Sequence, residues 1–110
     1  MDFNTYQKLA KETRVYPEYG QGTIGAIAYC ALGLAGEAGE VANKVKKLMR
    51  DGDTIERRAK ICEEIGDCLW YAAMLLDEFG VSMECVPIEN IQKLQNRKND
   101  GKVKGEGDAR

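Results

Sequence analysis

Between Ile24 and Met49, apolar or small residues return in alternating steps of four and three, at Ile24, Ala28, Ala31, Ala35, Ala38, Ala42, Val45 and Met49. That period is the seam of a helix, and it commits the chain to one long helix from about Thr23 to Arg50. Gly33, Gly36 and Gly39 lie inside it. Each costs about 1 kcal/mol against alanine in a helix interior, so a close helix contact or an approaching ligand has to offset them. Asp51-Gly52-Asp53 interrupts the pattern, and Asp53 with Glu56 offers a capping box that opens a third helix reaching Phe79. Gly80 then suits the left-handed position after a helix. Two long helices joined by so short a break pack antiparallel.

Around this pair the sequence predicts two shorter helices. One begins near Asn4, with Gln7 completing a capping box, and ends before Pro17; Gly20, Gly22 and Gly25 then favour a loop. The other carries Pro87 in its first turn and runs through Ile88, Ile91 and Leu94 to about Lys98. Residues 99–110 read as a polar, glycine-rich tail. The expectation is one all-α domain over 1–110, without internal repeats. At 110 residues a single core has little surface to spare, so completion of the bundle by oligomerisation, as a homodimer or homotetramer, is expected.

The chemistry is narrowed by what is missing. There is no histidine, and Cys30, Cys62, Cys68 and Cys85 show no CxxC spacing, which removes the usual zinc sites and the Ser-His and Cys-His nucleophiles. The cysteines read as reduced core residues. Carboxylates, lysines or a hard metal ion remain. Glu37 and Glu40 stand three apart on the second helix, as do Glu64 and Asp67 on the third. Such pairs share a helix face, about 5–6 Å apart at Cβ. One pair alone is ordinarily a solvated face. Here both lie in apolar, glycine-bearing surroundings, at 34–41 and 61–69, where an exposed face would carry alternating lysines. In an antiparallel pair the four carboxylates converge and repel unless a cation sits among them. Oxygen ligands of this kind suit Mg²⁺ or Mn²⁺.

ExxE, 23 intervening residues, then ExxD resembles the signature of the MazG-like, all-α nucleoside triphosphate pyrophosphohydrolases. Gly-Glu-Ala-Gly-Glu-Val at 36–41, Glu-Ile-Gly-Asp-Cys-Leu-Trp-Tyr at 64–71, Asn90-x-x-Lys93-Leu94-x-x-Arg97, and Gly-Glu-Gly-Asp at 105–108 also resemble family blocks, in family order. Together they cover about residues 4–108. Pro87 departs from the pattern. The resemblance implies a four-helix bundle that hydrolyses a nucleoside triphosphate to the monophosphate and pyrophosphate, with Mg²⁺ held by Glu37, Glu40, Glu64 and Asp67. Glu37 or Glu40 is then the candidate base for the attacking water. Tyr71, seven residues after Glu64, shares its face and resembles a nucleoside-contacting position; a core tyrosine is the competing reading. Trp70 reads first as packing and second as a wall of the base pocket. Asn90, Lys93 and Arg97 share a face of the fourth helix and suit phosphate oxygens, while Lys44 and Lys47, four and seven residues after Glu40, could also reach phosphate but read first as charge pairing.

The rival reading is a non-catalytic helical homo-oligomeric module whose acids are surface charge and whose stability ignores metal. Nucleic acid is not an expected partner: the net charge is −2 and the acids crowd the middle, although Lys93, Arg97, Lys98, Lys102, Lys104 and Arg110 load the end. No stretch looks close to the roughly 20 apolar residues of a membrane span, and the start lacks a signal peptide. A cytoplasmic protein is expected.

Overall fold

A computed structural model describes residues 1–101. Among them are four helices, α1 (Phe3–Lys11), α2 (Ile24–Asp51), α3 (Ile55–Glu78) and α4 (Cys85–Asn99), and no strand. The segment at 105–108 that resembles a family block lies outside the described residues, as do Lys102, Lys104 and Arg110.

α2 and α3 form the body, α1 lies along α3, and α4 makes no close backbone contact with the other three helices, sharing a surface cavity with Phe3 at the start of α1. The direction of the central pair follows from its contacts. Gly33 faces Tyr71, and Lys44 faces Glu64, so the number on α3 falls as that on α2 rises: the pair is antiparallel, as expected.

The helix ends use partners other than the expected ones. Asp2 caps α1 by accepting from the Thr5 N–H at 2.7 Å, and Thr54 caps α3 by accepting from the Arg57 N–H at 3.1 Å. The Asn4–Gln7 and Asp53–Glu56 boxes do not cap these helices. Gln7 is buried instead, donating to the Ala73 and Val81 carbonyls at 3.2 and 3.1 Å and accepting from the Met83 N–H at 3.0 Å. A buried amide left unpaired costs more than an exposed cap contributes, so the long-range bonds win. Asn4 likewise accepts from the Glu84 N–H at 3.0 Å, and Asp53 pairs with Arg58. Thr23 caps α2. Gly80, at φ +73°, closes α3 as expected: its N–H and that of Val81 bond the Asp77 and Leu76 carbonyls, both at 2.9 Å.

The face of α2 turned to α3 is not the one read from the sequence. Ala26, Cys30, Gly33, Leu34, Glu37, Val41, Lys44 and Leu48 are buried or half-buried, whereas all eight residues of the predicted seam, Ile24 through Met49, are exposed. α2 therefore has two stripes, and among the described residues only one is covered. The covered core is small: Ala10, Tyr16, Ala26, Cys30, Ala73, Met74 and Met83. Of the four cysteines only Cys30 belongs to it; Cys62 and Cys85 are exposed, and all four are free. One expectation about hydropathy also fails. An 18-residue window of α2 has a mean hydropathy of 1.2, so by length and composition α2 is apolar enough to cross a membrane. Its isoleucines, leucines and valines supply most of that value and its alanines the rest, and Glu37 and Glu40 lie among them.

Candidate metal centre

α2 and α3 would normally fill their shared seam with apolar side chains. At one level they do not. Glu37 on α2 and Glu64 on α3 are half-buried between the helices, and Asp67 stands one turn on from Glu64. Carboxylate oxygens of Glu37, Glu64 and Asp67 all lie within 4.8 Å of one another. A hydrogen bond to Glu64, partial burial, and the charges of Asp67, Glu64 and Glu40 push the Glu37 carboxyl above its ordinary value of 4.5. That is the response of like charges held together. Three hard oxygen donors from two helices fit Mg²⁺ or Mn²⁺, which take few protein carboxylates and keep open positions for phosphate oxygens.

Glu40 is exposed and stands outside this group of three, although its charge is felt at Glu37. Asn90, Lys93 and Arg97 lie on α4, and the packing of one chain does not carry α4 to α2 or α3. Arg97 is buried. Tyr71 is brought to the cluster: with Thr13, Glu37, Asp67 and Trp70 it lines a cavity of about 350 Å³. Its ring lies flat on α2 where Gly33 has no side chain, since a Cβ there would come within 2.2 Å of Tyr71 Cε1. Burial, then Tyr29 and Glu37, raise the Tyr71 hydroxyl above its usual range, so it stays a proton donor.

Thr13 was not expected at the site, and for Trp70 packing was the first expectation and a wall of the base pocket the second. Trp70 does pack, meeting Tyr71 edge-on at 5.0 Å between ring centroids, but the same ring walls the cavity and its Nε1 donates to Thr13 Oγ1 at 2.8 Å. Thr13 comes from the segment after α1, and only the folded chain places it there. On the other side of the carboxylates, Lys44, Lys47, Arg57 and Lys60 surround a second cavity of about 230 Å³ with Asp51. Lys44 does pair with a carboxylate, but its Nζ is 3.5 Å from Glu64 Oε1 on α3, not beside Glu40 on its own helix. Lys60 was legible in the sequence, because it precedes Glu64 by four residues and so shares its face. Arg57 gave no such signal beyond one further turn.

The profile of the MazG nucleotide pyrophosphohydrolase domain matches residues 28–101, a span that contains both carboxylate pairs and α4. The chain is also similar to the gene 37 protein of Mycobacterium phage L5, at 43% identity over 114 residues covering 100% of both chains. No solved structure gives a significant match.

Proposed function

The chain belongs to the MazG nucleotide pyrophosphohydrolase family, and on that premise we propose that it hydrolyses nucleoside triphosphates to the monophosphate and pyrophosphate, using Mg²⁺ held by Glu37, Glu64 and Asp67. The observation that carries this reading is the three carboxylates within 4.8 Å of one another, two of them half-buried in a seam that apolar side chains would otherwise fill. Mg²⁺ bound there neutralises charge on the phosphate oxygens and makes water a better nucleophile.

The chain's own residues divide the remaining work. Trp70, Tyr71 and Thr13 offer an aromatic wall for the nucleoside beside Glu37 and Asp67. Lys44, Lys47, Arg57 and Lys60 offer cations for the outer phosphates beside Glu64. The carboxylates lie between these two cavities, so a triphosphate spanning both would bring its α–β bridge to the residues that would hold the metal. Glu40, outside the group of three, keeps a carboxylate free to take the proton of the attacking water. Lys93 and Arg97 on α4 are further phosphate donors by the family resemblance.

We also infer a homo-oligomer. Ile24, Leu32 and Met49 are 81%, 73% and 79% exposed along the free stripe of α2, and its alanines would let a second helix approach closely. With every cysteine free, a reducing cytoplasmic setting suits the chain.

The test is to incubate purified protein with Mg²⁺ and each common and modified triphosphate, scoring pyrophosphate against orthophosphate. Monophosphate and pyrophosphate should appear together, and Glu64→Gln and Asp67→Asn should abolish them while helical content is kept. A diphosphate product, or wild-type turnover in both variants, would refute the proposal.

A further inference from the structure

Glu78, near the end of α3, is the one buried carboxylate among the described residues that the reaction does not use; its side chain is fully buried. It accepts from the Tyr16 hydroxyl, from the Gly20 N–H at 2.8 Å and from the Gly22 N–H at 2.9 Å, and Arg14 Nη1 stands 3.7 Å away. Every one of these partners belongs to the segment that joins α1 to α2. Gly20 and Gly22 have φ of +78° and +65°, which aims both N–H groups at one carboxylate. Burial works against the charged form, but the Tyr16 hydroxyl, the two glycine N–H groups and Arg14 outweigh it and hold Glu78 below its ordinary range.

What the clamp holds leads to the cavity. Tyr16 stacks on Tyr29, with centroids 5.3 Å apart, and meets the face or edge of Trp70 at 6.2 Å and 89°. Trp70 in turn meets Tyr71 and donates to Thr13, on the same clamped segment. Fixing the segment thus fixes both Thr13 and the ring sequence that ends in the cavity wall.

We propose that Glu78 is a positioning residue for the nucleoside half of the site: by pinning the α1–α2 segment it sets the wall that Thr13, Trp70 and Tyr71 present to the base and sugar. This rests on the nucleotide reading above. The carboxylate cluster and the Lys44–Lys60 cavity, built from α2 and α3, do not depend on the clamp.

Glu78→Gln is the informative change, because an amide nitrogen cannot accept from a glycine N–H and one bond of the clamp is lost. Trp70 is the only tryptophan, so its fluorescence reports the wall directly. Binding of the four common deoxynucleoside triphosphates is measured with Ca²⁺ replacing Mg²⁺ to suppress turnover, beside inorganic triphosphate, which has no base, and Mn²⁺ alone. Glu78→Gln should weaken the nucleotides on the order of tenfold, as loss of a charged hydrogen bond does, with inorganic triphosphate and Mn²⁺ unchanged. Tyr16→Phe, which keeps the ring stack, should do the same by about threefold, and it decides the matter should Glu78→Gln fail to fold. Nucleotide binding equal to wild type in the folded variants, or a parallel loss of inorganic triphosphate, overturns the positioning role alone. Absence of nucleotide binding in the wild type overturns the functional reading and this role with it.

Discussion

Gly33→Ala is a substitution that should cost stability where its neighbours gain it. A Cβ on residue 33 would stand 2.2 Å from Tyr71 Cε1 and 2.5 Å from Cδ1 and Cζ. The ring has to retreat by more than an ångström, yet Trp70 abuts it with centroids 5.0 Å apart. At Gly36 and Gly66, by contrast, an added Cβ meets nothing within 4 Å. All three replacements gain the same helix propensity, about 1 kcal/mol. Only Gly33→Ala also meets an overpacking cost of about 1–3 kcal/mol. The difference between it and the other two therefore isolates the contact, at about 1–3 kcal/mol, and for a chain of this size each kcal/mol is worth about 4–8 °C in Tm.

The assay is thermal unfolding followed by helical circular dichroism, at one fixed protein concentration because association shifts Tm. Gly36→Ala and Gly66→Ala should melt higher than wild type and Gly33→Ala no higher or lower. Removing the ring with Tyr71→Ala should abolish the difference, so that Gly33→Ala becomes as favourable as the others in that background. Substrate KM should rise in Gly33→Ala as well, since the displaced ring lines the cavity with Glu37 and Asp67. If Gly33→Ala stabilises as much as Gly36→Ala, the placement of Tyr71 against α2 is wrong.

Four further outcomes can be checked. Because the folded state raises the Glu37 pKa above 4.5, its contribution to stability is intact below that value and is lost as pH rises through the folded pKa. Mg²⁺ should accordingly raise Tm more at pH 7 than at pH 4.5, and Glu37→Gln should flatten that difference; equal gains at both pH values would contradict it. Glu40→Gln should retain Mn²⁺ binding while kcat falls by about 10²–10⁴, whereas Asp67→Asn should lose the ion, a contrast read by electron paramagnetic resonance. Lys60→Gln should raise KM for triphosphates and leave Mn²⁺ affinity unchanged, measured by calorimetry. Ala35→Arg, on the exposed stripe of α2, should lower the mass seen by light scattering without lowering helical content, and a wild-type mass that is already monomeric would refute the oligomer.

The long helices, their antiparallel pairing, the Thr23 start of α2 and the Gly80 stop of α3 were legible because each is written in local sequence. The covered face of α2 was not. Its stripe contains Glu37 and Lys44, which a hydropathy period counts as surface, while the neighbouring stripe of alanines from Ala28 to Ala42 looks like the better seam. Hydropathy finds stripes, but it cannot tell one buried by the same chain from one left for another. Gln7 and Asn4 were misread for a related reason. Their side chains fit a local cap, and only the fold supplies the distant backbone groups at Ala73, Val81 and Glu84 that bind them more strongly. The carboxylate pairs were legible by spacing, yet that Glu37, Glu64 and Asp67 close on one another while Glu40 stays outside is a matter of helix rotation, which spacing leaves open.

On the proposed function, the exposed stripe of α2 and the carboxylate cluster can be connected physically. Filling the α2–α3 seam with apolar side chains would stabilise the pair, and at the level of Glu37 and Glu64 this chain forgoes that gain and accepts repulsion among three carboxylates. A sequence under selection for stability alone would not keep such an arrangement, because each half-buried charge opposes the packing around it. A divalent cation reverses the sign of the interaction, turning mutual repulsion into shared attraction and making the seam most stable when loaded. The deficit left in the unloaded chain is enlarged by its small core, and the exposed stripe of α2 offers the surface on which a second copy could offset it. If the chain binds Mg²⁺ and self-associates as proposed, the two should therefore be coupled: an ion that rigidified the α2–α3 pair would also fix the outer stripe against which a partner helix would pack.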